Sequence, residues 1–165
     1  MDAPLSKAVD DFLGYLKVER RYAPGTIDNY ARALAGLQDF ARPLGIAHWR
    51  ELRGEQVQTF VANEHRRGLD AATLRATLSA LRSFFKFLAR RGEVNANPAN
   101  GVRSPKVRRK LPQVLDADEV GALVEIPGDD PEAVRDRALF ELLYSSGLRV
   151  SELTGVRWRD LDAGE

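Results

Sequence analysis

The chain has 165 residues, 44% of them hydrophobic, with no cysteine, two histidines and a formal net charge of +1. That size and apolar content suit one ordinary domain or two small ones and exclude a disordered chain; the absence of cysteine excludes a disulfide framework and a thiol nucleophile and argues against a structural zinc site. No apolar run approaches the roughly 20 residues of a membrane span, and the start lacks the pattern of a signal peptide, so the expectation is a cytoplasmic protein with no membrane partner.

Taken in order, Leu5, Val9, Phe12 and Leu16 form one stripe and predict a first helix from Leu5 to Glu19. Ala23-Pro24-Gly25 breaks the pattern. A second helix follows from Thr26 or just before it, with Ile27, Tyr30, Leu34, Leu37, Ala41 and Leu44 in steps of three and four and Gly45 past its end. The stretch from Ile46 to Leu52 reads as a loop, and Val57, Phe60 and Val61 mark a shorter third helix that stops near Gly68. Leu74, Leu78, Leu81, Phe85 and Leu88 mark a fourth, ended by Gly92. Four such helices with short connections predict a compact bundle over residues 1–93.

Residues 94–112 carry Pro98, Pro105 and Pro112 with mostly basic charge and no helical period, and read as an extended linker. A second α-rich unit over 113–165 then begins at the capping pair Asp116 and Glu119, with a helix through Val124. Asp130-Pro131 starts the next helix, expected to turn Val134, Ala138, Leu142 and Leu143 inward and to stop at Gly147. No run of alternating β-branched residues places a strand.

The near-neutral total hides separated signs. Residues 82–110 hold nine Lys or Arg against Glu93 alone, whereas residues 116–141 hold nine acids against Arg135 and Arg137. This fits a polyanion-binding region beside a solvated acidic one, or two ordinary charged faces. Within the basic region, Arg75, Ser79, Arg82 and Lys86 follow the core stripe of the fourth helix at spacings of four, three and four, which puts three cations and a hydroxyl on one edge. They are candidate nucleic-acid contacts, or else a solvated face. Thr26, Asn29 and Arg32 near the start of the second helix are further candidates, although Thr26 and Asn29 also suit capping and surface positions. In the linker the candidates are Arg103, Lys106, Arg108, Arg109 and Lys110.

Past Gly147 the residues Val150, Leu153 and Val156 restart a period of three, so Arg149 opens a short helix. A cation is out of place there, because the first turn favours negative charge. Either an anion such as phosphate is held by the arginine and the helix start, or Arg149 pairs with Glu152 at i, i+3 on a solvated helix.

The run from Ala138 to Leu153, with Gly147-Leu-Arg-Val-Ser-Glu-Leu153 at its end, resembles the first catalytic box of the tyrosine recombinases, most closely their bacterial Xer type. The resemblance implies that Arg149 is catalytic and binds the scissile phosphate, with Glu152 supporting the box. Thr26-Ile-Asp-Asn-Tyr30 followed by Leu34, and Ser83 to Leu88 leading to Asn97-Pro98 and Pro105-Lys106, extend it over the bundle. It implies a mainly α chain: a SAM-like core-binding domain, then the α-rich start of a catalytic domain, the two closing on duplex DNA. It also implies no cofactor or metal, a sister recombinase in a tetrameric synaptic complex, and a septal DNA translocase as partner. Neither His48 nor His65 forms His-x-x-Arg, and none of Tyr15, Tyr22, Tyr30 or Tyr144, the last expected to be a buried aromatic, stands in for the family's nucleophile. The expectation is a recombinase cut off inside its catalytic domain, which binds DNA without turnover. The alternatives are a non-catalytic DNA-binding module of an integrase relative or regulator, and a protein-interaction domain.

Overall fold

The computed structural model describes residues 3–103 and 114–160. Helices α1 (Ala3–Val18), α2 (Pro24–Ala41), α3 (Gly54–Arg66) and α4 (Ala71–Arg90) form the expected bundle. Apolar residues at helical spacing meet in its centre: Phe12 and Leu16 from α1, Leu34 and Leu37 from α2, Val57 and Phe60 from α3, and Leu74, Leu78, Leu81, Phe84, Phe85 and Leu88 from α4. Phe84 is the hub of the aromatic contacts, with ring centroids 5.4 Å from Phe12, 5.3 Å from Phe85 and 5.2 Å from Trp49, all edge to face.

Local chemistry accounts for the helix ends. Asp70 caps α4, its Oδ1 accepting the Thr73 N–H at 2.8 Å, and Gly92 follows the helix with φ 71°. Pro24 is the first residue of α2 rather than a break before it, since a fixed φ and a missing N–H suit the first helical position. At the other end α2 stops at Ala41, three residues earlier than the periodicity predicts. Pro43 has no N–H to continue the α ladder, and Arg42–Leu44 tighten into a 3-10 turn before Gly45 at φ 68°.

Two aperiodic stretches are corrected by the structure. The expected loop at 46–52 contains a 3-10 turn, Trp49–Glu51, and buries Ile46, Trp49 and Leu52, with Trp49 Nε1 donating to Leu5 O at 3.2 Å. The linker expected over 94–112 is not extended at its start, because Val94, Ala99 and Val102 are buried in the bundle core. Residues 104–112 lie outside the described residues.

Cα proximity divides the chain into two units, Met1–Arg109 and Lys110–Glu165. The second contains α5 (Ala117–Val124), α6 (Pro131–Ser146), α7 (Val150–Leu153) and a 3-10 turn at Trp158–Asp160. Asp116 and Glu119 cap α5 reciprocally at 2.8 and 3.0 Å, and Asp130 caps α6 through the N–H groups of Glu132 and Ala133. Among the described residues of this unit only Ala133 and Leu153 are buried apolar groups, and there is no strand. The inward register expected for α6 therefore needs revision. Val134 and Ala138 are exposed, Leu142 and Leu143 are half-buried, and Tyr144 is 69% exposed instead of buried, because among the described residues the short α5 and α7 offer too little surface to cover α6.

Two outcomes follow for the bundle. Phe84→Ala removes the hub of the aromatic cluster and should cost about 3–5 kcal/mol, read as a lower urea midpoint with an unchanged slope. The Asp70 carboxyl is held below the usual aspartate range, first by the Thr73 N–H and then by the Thr73 hydroxyl. A depressed folded pKa contributes stability that is present above the unfolded pKa and lost as pH falls through the folded one. Asp70→Ala should lower the melting temperature by roughly 5 °C at neutral pH, and the gap to wild type should close as the pH is taken below about 4.

Candidate nucleic-acid interface

With the apolar stripe of α4 turned into the core, its opposite side faces outward beside the first half of α2. A groove of about 710 Å³ opens there, lined by Thr26, Asn29, Tyr30 and Arg32 of α2, by Thr73 and Ser79 of α4, and by Phe60 and Glu64 of α3, the Glu64 carboxylate being paired with Arg67. Arg32 is held over it by a 2.6 Å bond from Nη2 to Asn29 Oδ1, and its Nε donates to Asp28 O at 3.4 Å. Thr26 is the third residue of α2, and no side chain caps that helix, so the capping alternative for Thr26 falls away. Arg75 is exposed, one turn before Ser79.

The same side continues into a smaller pocket of about 160 Å³, lined by Arg20, Tyr22, Ser83, Lys86 and Arg90 with Tyr15, and containing no carboxylate. Arg21, at φ 50°, lies in the turn between α1 and α2 that brings Arg20 and Tyr22 here. The Tyr22 and Tyr30 rings meet edge to face at 6.2 Å, so the two pockets share a wall. Arg90 Nη1 reaches Tyr15 Oη at 3.4 Å. Among the described residues no ion pair engages Arg20, Arg32, Arg75, Lys86 or Arg90, whereas just past α3 Arg67 is paired with Glu64 at 2.9 Å. Cations without counter-charges beside hydroxyls and a side-chain amide suit the phosphate and sugar edges of a nucleic acid.

Sequence reasoning missed Arg20, Tyr22, Ser83 and Arg90 as members of this face. Continuing the Lys86 row by four residues reaches Arg90. No spacing rule reaches Arg20, which arrives from the turn between α1 and α2. Arg82 departs from its expected place. Its Nε donates to Ala99 O at 3.2 Å and its Nη2 to Val102 O at 2.7 Å, so two of its donor groups are turned to backbone carbonyls of the same chain. Arg103 is exposed, and Lys106, Arg108, Arg109 and Lys110 fall outside the described residues.

In the second unit, Gly147 ends α6 at φ 65° and Arg149 stands immediately before α7. Of the two readings of Arg149, the ion pair is the one observed: Nη1 meets Glu152 Oε1 at 2.9 Å, and the Arg149 N–H donates to Glu152 Oε2 at 2.8 Å. The carboxylate thus occupies the helix start. The Arg149 side chain is nonetheless 82% exposed, and an exposed pair of this kind contributes only about 0.2–1 kcal/mol, so an incoming phosphate can compete for it.

Residues 9–92 match the family described as "Phage integrase, N-terminal SAM-like domain" and residues 113–165 match "Phage integrase family", so bundle and arginine box together define an integrase-type chain. It is 50% identical over 162 residues to "Tyrosine recombinase XerC" of Xylella fastidiosa (strain 9a5c), covering 97% of this chain and 55% of that protein. Against proteins of the same name it is 51% identical over 161 residues in Xanthomonas campestris pv. campestris (strain B100), covering 98% and 50%, and 44% identical over 160 residues in Yersinia pestis, covering 97% and 53%. The chain belongs to the tyrosine recombinases of the phage integrase family. It spans about half the length of these relatives.

If the α2 and α4 face receives phosphates, Lys86→Glu with Arg90→Glu should weaken binding of this chain to duplex DNA and flatten its dependence on log salt by about 0.9 for each phosphate no longer neutralised. Arg50→Glu with Arg53→Glu, two exposed arginines that line neither pocket, should leave the slope unchanged. A fluorescence-anisotropy titration at several salt concentrations reads both.

Proposed function

We propose that this chain is the DNA-binding and first catalytic portion of a site-specific recombinase of the XerC kind. The bundle, with residues 94–102 packed into it, acts as the core-binding domain, the basic residues from Arg103 follow it, and the unit from 113 onward contributes the start of the catalytic domain. Thr26, Asn29, Arg32, Arg75, Ser79 and Lys86 contact duplex DNA, joined by Arg103, Lys106, Arg108, Arg109 and Lys110. The complete protein works in the cytoplasm, with a sister recombinase in a tetrameric synapse and with a septal DNA translocase, resolving chromosome dimers at cell division.

The observation that best supports a catalytic role is the exposed Arg149 guanidinium, held at the opening of α7 by a glycine-terminated helix on one side and Glu152 on the other. In the reaction a tyrosine hydroxyl of the complete protein attacks the scissile phosphorus. A 3′-phosphotyrosyl bond forms and the 5′-oxygen leaves as a hydroxyl. Attack by a partner strand's 5′-hydroxyl reverses these steps and regenerates the tyrosine, so bond energy is conserved with no cofactor or metal. Arg149 stabilises the extra negative charge on the phosphate oxygens as attack proceeds, and a planar, permanently charged fork does this better than an ammonium.

In the complete protein Arg149→Lys should lower cleavage of a suicide DNA substrate by 100-fold or more, roughly the effect of losing one transition-state donor, with site binding and melting temperature nearly unchanged. The same change in this 165-residue chain should alter neither DNA affinity nor melting. Full cleavage by the variant, or a loss of cleavage that only tracks a loss of folded protein, would make Arg149 a structural residue.

A further inference from the structure

Arg82 lies in the row that helical spacing assigns to DNA, yet its bonds run the other way. Its guanidinium forks onto the carbonyls of Ala99 and Val102, three residues apart. Its own carbonyl accepts Asn97 Nδ2 at 2.9 Å, and the other end of that amide, Oδ1, accepts the Ala99 N–H at 3.0 Å. The bonds converge on a segment with no regular helix or strand. Ala99 and Val102 are 0% and 5% exposed, so their backbone groups would be costly to leave unpaired. Gly54 supplies an independent sign of close packing at the same place: a Cβ there would lie 3.3 Å from Pro98 O, so the first turn of α3 presses on this segment from another side.

We infer that Arg82 and Asn97 form a latch that fixes where the chain leaves the bundle. Residues 97–102 are held against the middle of α4, and Arg103 follows from that flank. Arg82 is a positioning residue, not a phosphate contact. Its guanidinium is required for geometry, since one planar group spans two carbonyls and a lysine ammonium on a shorter reach does not. The latch does not depend on the DNA reading.

The test is hydrogen–deuterium exchange of the whole 165-residue chain, comparing wild type with Arg82→Lys, Asn97→Ala and, as a control on the same helix, Lys86→Ala. Exchange in the peptide covering 94–103 should rise tenfold or more in Arg82→Lys and Asn97→Ala but not in Lys86→Ala, with α1 to α3 equally protected in all four. The salt slope of duplex binding should be the same for Arg82→Lys, Arg82→Gln and wild type. Unchanged protection of 94–103 in Arg82→Lys would overturn the latch, and so would a rise spread evenly over α1 to α4, which would make Arg82 a support of the whole bundle. A slope that falls by about 0.9 in Arg82→Gln with 94–103 still protected would return Arg82 to the phosphate contacts. If no duplex binding is measurable, the DNA reading fails and the exchange result alone decides the latch.

Discussion

Burial of one stripe of α4 constrains the rest of the bundle. Leu74, Leu78, Leu81, Phe84, Phe85 and Leu88 are all fully enclosed, and each such side chain contributes about 1.5–3 kcal/mol relative to exposure. That term dwarfs anything the surface charges supply, so the rotation of α4 about its axis is set from inside. Ser79, Ser83, Lys86 and Arg90 then face outward together because the core leaves them nowhere else to go. The excess of positive charge they create is a cost the fold can carry. It is also a surface that a polyanion would relieve.

The second unit is organised by local rules more than by a core. Asp116 with Glu119, Asp130 with Pro131, and Gly147 each fix a helix end within a few residues, and Arg149 is placed by the last of these. Its contact with Glu152 is a weak, exposed pair that holds the guanidinium near the helix start without consuming it. Val114, Leu115, Leu123, Val134, Leu139, Tyr144 and Val150 remain exposed, so packing has little part in positioning the arginine within the described residues.

The four bundle helices and α5 to α7 are readable in the sequence because period and caps are local signals: Leu74 to Leu88 announce α4, and Gly147 announces the end of α6. Trp49 and the stretch from Val94 to Val102 are not readable. Neither has a period, and their burial depends on partners far away in sequence, Leu5 O for Trp49 and Arg82 for Ala99 and Val102. The face itself is half legible. Spacing gives the angle of a side chain about its helix, which finds Ser79 and Lys86, but it cannot say what the end of a long side chain meets. Arg82 and Lys86 share a row and part company only at their tips. The exposure of Tyr144 is illegible for a related reason, since an apolar residue at helical spacing is buried only if another element arrives to cover it.

The function proposed for the bundle depends on one of its faces receiving DNA. Amide chemical shifts of this chain titrated with a short duplex at low salt test that directly, because each residue reports separately. Perturbations should concentrate at the end of α1, over 20–32, and along α4 from Arg75 to Arg90, with the start of α3 from Gly54 to Thr59, which does not line the groove, nearly silent. Shifts confined to α3, or spread without preference over all four helices, would contradict DNA binding at this face.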